Sequence, residues 1–312
     1  MIYTLTLNPA VDLELTVEAF RFDAVDRALA SRMDCGGKGF NVSRMLAILE
    51  TASTALGFVG GKSGERLEQT LRSLGIATDF NWIDGETRTN VSIVRANHGQ
   101  YLKVNEAGPT IGQAEVEALI DKVSGLSRSG DWWVLSGSLP PGVPATIYAN
   151  LIEVIETAGA HVFLDTSGEP LHAGCAARPT LLKPNLEEAR ELTAATCAAD
   201  ADSAQVARAL LALGPRQLVI SMGREGALLV AGDDVQLVPT PKIEERNPIG
   251  AGDSMVGGIV CGLSRGDILA DAVRLGVACG AATASRSGTE LGSMQQVEAL
   301  LALIGDSIPV QK

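Results

Sequence analysis

Short β-branched apolar runs alternate with segments of helical period along the first two thirds of the chain. IYTLTL (2–7), STALGFV (53–59), WWVLS (132–136), HVFLD (161–165), TLLK (180–183) and QLVIS (217–221) read as strands. Between them, apolar positions recur at helical spacing near 40–50, 63–74, 112–124, 144–158 and 203–213. Strand and helix in alternation predict a mostly parallel sheet covered by helices on both faces, since parallel strands need crossover connections. Two stretches break the alternation, LELTV (13–17) and the pair TNVSIVR (89–95) with QYLKVNE (100–106), which has no helix between its members, and Ala96–Gly99 is a hairpin-turn candidate. They are expected to leave the parallel core as a discontinuous β lid, about 13–20 and 87–106, over one edge of a site or at a homodimer surface. The last third changes character, with helices expected at about 251–264, 267–286 and 293–304.

With 312 residues and 46% hydrophobic content, one large α/β core is within reach, and no repeat or long linker divides 1–312. The net charge of −12 argues against a general nucleic-acid binder, so an anionic ligand must meet a local basic patch. Five scattered cysteines without a C-x-x-C pair fit neither a disulfide framework nor a zinc site and point to a reducing cytoplasm. No apolar run reaches the eighteen residues of a membrane helix, so a soluble protein with no membrane partner is expected. The three histidines stand apart, without metal-ligand spacing.

NPIGAGDSMVGGIVCGL (247–263) is the most informative segment, a glycine-rich turn opening into a small-residue helix. Such a turn aims backbone N–H groups and the positive end of a helix at one point, where an anion belongs. Asp253 sits at its mouth, placed to take a proton from an attacking hydroxyl while the Gly250–Asp253 amides stabilise charge. A simple helix cap is the competing reading of Asp253. In KPNLEEAREL (183–192), Asn185 and Glu188 have capping-box spacing, and the same geometry puts a carboxylate where it can orient water on Mg²⁺. GGKGFN (36–41) offers close backbone approach at Gly36 and Gly37, charge from Lys38 and hydrogen bonds from Asn41; an ordinary glycine turn reads the same way. Ser136 and Ser138 in SGSLPPGV (136–143) add hydroxyls at a strand end, where ligands gather in open α/β sheets. GFVGGKSG (57–64) imitates a phosphate-binding P-loop, but the required first glycine falls on Leu56 and the spacing fails.

In this order, TLTLNPAVD (4–12), GGKGFNVSR (36–44), GETRTNV (85–91), SGSLPPGV, DTSGEPL (165–171), KPNLEE (183–188), SMGREGAL (221–228) and NPIGAGDSMVGG (247–258) resemble the PfkB group of ribokinase-like carbohydrate kinases over nearly the whole chain. The resemblance implies a doubly wound sheet with a small β lid and a catalytic-base role for Asp253. It also implies that Asp12, Gly37, Asn41 and Arg88 bind a sugar, with Lys38 and Arg27 near its phosphate. Lys183, Asn185, Glu188, Ser221, Gly223 and Gly226 would face ATP and its Mg²⁺. The opening segment, TRTN and SGSLPPG look most like the phosphosugar branch, which implies phosphorylation of a ketose phosphate. Fructose 1-phosphate is favoured over tagatose 6-phosphate, and fructose 6-phosphate over neither. Pro248-Ile249 stands where the group often has Thr-Val, and there the chain is closer to tagatose-6-phosphate kinases. A non-catalytic sugar- or nucleotide-binding regulator would not need Asp253, Glu188 and the glycine turn together. A dinucleotide oxidoreductase would need G-x-G-x-x-G after the first strand, which is followed instead by Asn8-Pro9.

Overall fold

The structure is a computed structural model that describes residues 1–96, 100–232 and 234–310. Its large sheet contains β1 (Ile2–Thr6), β4 (Thr54–Val59), β5 (Ala77–Thr78), β6 (Asn81–Trp82), β9 (Trp132–Ser136), β10 (His161–Asp165), β11 (Leu181–Leu182), β12 (Gln217–Ser221), β13 (Ala227–Ala231), β14 (Asp234–Val238) and β15 (Ile308–Pro309). The order β15-β14-β13-β12-β11-β10-β9-β1-β4-β5, with β6 also on β4, is parallel from β12 to β5 and antiparallel from β12 to β15. The six runs read as strands from their β-branched content are its parallel core. The antiparallel edge was not anticipated.

Strand alternation divides the core in two. Tyr3, Leu5, Trp133, Leu135, Val162 and Leu164 face one layer, while Ile2, Trp132, Val134 and Phe163 face the other. The first layer packs on α3 (Gln113–Leu126), α4 (Ile147–Thr157), α5 (Gly168–Ala176), α6 (Leu186–Thr193) and α7 (Ser203–Ala212). The second packs on α1 (Lys38–Ile48), α8 (Ala251–Arg265), α9 (Leu269–Ala284) and α10 (Met294–Leu301). The period of two is what lets one strand feed both layers. The observed form is therefore the doubly wound α/β fold that was expected.

Backbones in the second layer approach closely. A Cβ on Gly258 would lie 2.8 Å from Gly276 Cα, and one on Gly276 would lie 2.8 Å from Met255 O, so α8 and α9 meet along a glycine seam. Ser254 Oγ and Thr283 Oγ1 are 2.8 Å apart across the same contact and tie the first turn of α8 to the end of α9.

A separate four-stranded sheet, order β3-β2-β7-β8, is made of β2 (Ala10–Val17), β3 (Ala30–Gly36), β7 (Arg88–Arg95) and β8 (Tyr101–Asn105). It differs from the anticipated lid in two ways: β2 ends at Val17 rather than near 20, and 30–36 supplies a strand that the pattern did not mark. ASRMDCG carries polar side chains on both faces, and only Cys35 and Gly36 are buried, so it has no apolar alternation to read. The turn placed at Ala96–Gly99 lies, beyond Ala96, outside the described residues. The remaining helix, α2 (Gly61–Ser73), packs Leu67 and Leu71 with Val11 and Cys35 of this sheet.

Candidate active site

The ends of the parallel strands converge on one rim. Register aligns Thr6, Ser136 and Asp165 at the C-terminal ends of β1, β9 and β10, and Lys183 follows β11 directly. Facing them is the start of α8, where Gly250 at φ +78° makes the left-handed turn that a side chain resists. Asn247 shapes the approach: its Oδ1 accepts from Ile249 N at 3.0 Å, and its Nδ2 donates to Gly288 O at 2.7 Å. Among the described residues no side chain caps this helix. The Ala251 N–H already donates to Pro248 O at 3.2 Å, a correction to its expected part in the nest; the Gly252 and Asp253 amides have no partner among the described residues. The Lys183 ammonium lies beside the turn, 3.8 Å from where a Cβ on Gly252 would stand.

Asp253 is buried and accepts a 2.8 Å hydrogen bond from Asn41 Nδ2, whose Oδ1 takes one from Arg44 at 3.1 Å. The amide is thereby held with its nitrogen toward the carboxylate. Burial pushes the Asp253 carboxyl above its ordinary range; nearby Asp165 adds to this, while Lys38, the Asn41 bond and Lys183 oppose it. Asp165, also buried, is clamped by Lys183 at 3.0 Å and Lys38 at 3.2 Å. Burial alone would raise its carboxyl, but the two lysines outweigh burial and hold it below the ordinary value. Lys38 is raised in turn, chiefly by Asp165 and against burial. Two cations and a buried carboxyl of raised proton affinity are thus grouped beside an uncapped helix start.

A second group lies at the root of the four-stranded sheet. Asp12 accepts from Asn90 Nδ2 at 2.8 Å across the β2–β7 pairing, and a Cβ on Gly36 would strike its carboxylate at 2.5 Å. Gly37, at φ +131°, turns the chain from β3 into α1 and so joins this group to Lys38 and Asn41. Arg88 donates to Asn8 O at 2.9 Å and Glu106 O at 2.7 Å; burial lowers its affinity for the proton, with Asp12 and Glu106 opposing. Ser138 is exposed, as the rim expectation requires, but Ser136 is fully buried beneath it, a correction explained by its place inside the sheet between Thr6 and Asp165. Arg27 lies on the exposed loop between β2 and β3, and among the described residues no hydrogen bond joins it to either group.

Asn185 and Glu188 form the full capping box of α6: Asn185 N donates to Glu188 Oε2 and Glu188 N to Asn185 Oδ1, both at 2.8 Å. Ser221 bridges to Asn185 in parallel, which carries the start of α6 beside the end of β12. Gly223 has open space at its Cβ position, whereas a Cβ on Gly226 would meet Val238 O at 2.0 Å, so Gly226 is required by the β13–β14 packing itself. Among the described residues no cluster of three His, Cys, Asp or Glu side chains could hold a metal ion unaided.

The pfkB family carbohydrate kinase model matches residues 5–296. This chain belongs to that family. The kinase is 38% identical over 301 residues to the 1-phosphofructokinase of Bacillus subtilis, covering 96% of this chain and 97% of the relative. It is 35% identical over 305 residues to the 1-phosphofructokinase of Borreliella burgdorferi, covering 97% of each. Its fold superposes with a TM-score of 0.90 on phosphofructokinase-2 from Escherichia coli in complex with fructose-6-phosphate, 31% identical, covering 97% and 98% of the two chains. The pfkB kinase site contains one central residue to which the motifs assigned no role, Asp165. The signal that points to it is its position, an acid at the last residue of a strand whose neighbours also end at the rim.

Proposed function

We propose that this kinase transfers the γ-phosphoryl group of ATP to fructose 1-phosphate, giving fructose 1,6-bisphosphate and ADP. The observation that carries the reading is the buried Asp253 carboxylate, fixed by Asn41 at the open start of α8 and raised in proton affinity by burial. A base of that kind takes the proton of the attacking hydroxyl as its oxygen bonds to the γ-phosphorus and the bond to the ADP oxygen breaks. The Gly252 and Asp253 amides, Lys38 and Lys183 are the donors placed to stabilise the charge of the transferring group. Asp12, Gly36, Gly37, Asn41 and Arg88 are assigned to the phosphosugar, with Lys38, Arg27 and Arg88 toward its phosphate and Ser138 on the same rim. Asn185, Ser221 and Gly223 are assigned to the nucleotide side, with Gly226 shaping the turn.

The donor set fits a Mg²⁺ bound mainly through nucleotide oxygens, because the capping bond occupies one oxygen of Glu188 and leaves the other to hold a water of the hydrated ion. Such an ion supplies neutralisation of phosphate charge. The exposed Tyr101, Leu102 and Val104 on β8 and Met33 on β3 favour a homodimer through the lid. We assign the kinase to the cytoplasm; no helix among the described residues is long and apolar enough to cross a membrane.

Tagatose 6-phosphate is the second reading, favoured by Pro248-Ile249 before the nest. A coupled ADP-release assay comparing kcat/KM for fructose 1-phosphate, tagatose 6-phosphate, fructose 6-phosphate, fructose and ribose decides between them. Preference for fructose 1-phosphate is expected. A tagatose 6-phosphate preference would transfer the same base and nest to the other substrate, and reaction of free sugars alone would remove the phosphate roles of Lys38, Arg27 and Arg88.

A further inference from the structure

Arg88 begins β7, and the two residues before it, Glu86 and Thr87, are fastened to the start of α2. Both Glu86 carboxylate oxygens accept from that helix: Oε1 from Ser63 N at 2.7 Å and Oε2 from Lys62 N at 3.2 Å. Thr87 is buried and doubly tied to Gly60, with Gly60 N donating to Thr87 Oγ1 at 2.9 Å and Thr87 N to Gly60 O at 3.0 Å. Gly61, at φ +63°, gives the carboxylate room, since a Cβ there would lie 1.7 Å from Glu86 Oε2. Four hydrogen bonds therefore fix the backbone immediately before Arg88.

Glu86, Arg88 and Glu106 share the wall of a cavity of about 390 Å³, where Arg88 is the one cation among the described lining residues. Two carboxylates there would draw the guanidinium toward themselves. Backbone amides occupy both instead: Glu86 is held by α2, and Glu106 Oε2 accepts from Thr89 N at 2.8 Å. Ser63, through its hydroxyl and then its amide, holds the Glu86 carboxyl below its ordinary range, so it stays ionised and engaged. Arg88 is left to bond the Asn8 and Glu106 carbonyls.

From this geometry we infer that Glu86 is a positioning residue for the phosphosugar, acting through the α2 start to set Arg88. The inference rests on the assignment of Arg88 to the sugar. The closing experiment measures KM for fructose 1-phosphate, KM for ATP, kcat and Tm for Glu86→Ala, Glu86→Gln, Arg88→Ala and the Glu86→Ala/Arg88→Ala pair. Glu86→Ala is expected to raise the fructose 1-phosphate KM about 3- to 10-fold, the scale of a weakened charge-assisted hydrogen bond, with kcat and the ATP KM within about twofold. Glu86→Gln, which keeps an acceptor for Ser63 N, should recover most of the loss. In the Arg88→Ala background Glu86→Ala should add no further rise. A lower Tm with an unchanged KM would overturn the inference and leave Glu86 a cap; so would an equal rise with and without Arg88. If Arg88→Ala itself leaves the KM unaltered, the Arg88 assignment fails, and that result is distinguishable because it appears without any change at Glu86.

Discussion

The glycine-rich turns at Gly60–Ser63 and at Gly250–Asp253 both run directly into helices, and of these two only the second has the makings of a catalytic site. At α2 the chain returns its own carboxylate: Glu86 accepts from the first amides, as a bound phosphate would. At α8 no side chain among the described residues caps the turn, and the acid at its third position faces Asn41 and two lysines instead. A glycine turn and a helix dipole thus create the potential for anion binding, while the placement of the chain's own acceptors decides whether it is spent internally. The α6 start is a third case, closed by Asn185 and Glu188 within four residues.

Substitution at each turn tests the contrast. Asp253→Asn should lower kcat by about 10²- to 10⁴-fold, the range of a lost general base, with ATP affinity nearly kept because the turn remains. Equal loss of ATP binding would show that α8 is held open by the charge itself. The same variant should resist denaturant better than the wild type at neutral pH. A carboxyl whose folded proton affinity is raised contributes stability at low pH and loses it as pH rises through its folded value, and asparagine avoids that loss. Asp165→Asn should cost about 3 kcal/mol in a urea titration, as expected when one partner of a buried ion pair is removed and Lys183 is left uncompensated. Gly61→Ala should cost about 1 kcal/mol, since it forces a side chain into a left-handed turn against Glu86, with kcat retained. The smallest effect is on pH: Lys38 opposes the rise at Asp253, so Lys38→Met should move the acid limb of the kcat profile to higher pH, and a shift to lower pH would place the base elsewhere.

Much of the scaffold was legible because the strands at the centre of the large sheet are buried on both faces and read as continuous apolar runs, as WWVLS and HVFLD do. The half-solvated lid strand ASRMDCG has no such run. Helix α5 also escaped, since GEPLHAGCA places a proline and two glycines within nine residues. At the site, the turn at 250–253 and the capping box were local and could be read directly. The Asn41–Asp253 and Lys38–Asp165 bonds join residues more than a hundred positions apart, and nothing in the local sequence around either end specifies the partner. Ser136 was misread for a related reason: a strand-end motif does not say which hydroxyl lies above the rim and which lies within the sheet.

The glycine seam between α8 and α9 bears on how the molecule breathes. Helix starts ordinarily fray, yet Ser254 is pinned to Thr283, and the backbones behind it touch without intervening side chains. Opening that turn would require parting two helices at the centre of one core layer, so its amides should exchange with solvent deuterium only in the deepest unfolding events. The lid, with β8 exposed along its whole length, should exchange orders of magnitude sooner. Catalysis in such a molecule would stand on a floor that opens far more rarely than the small sheet beside it.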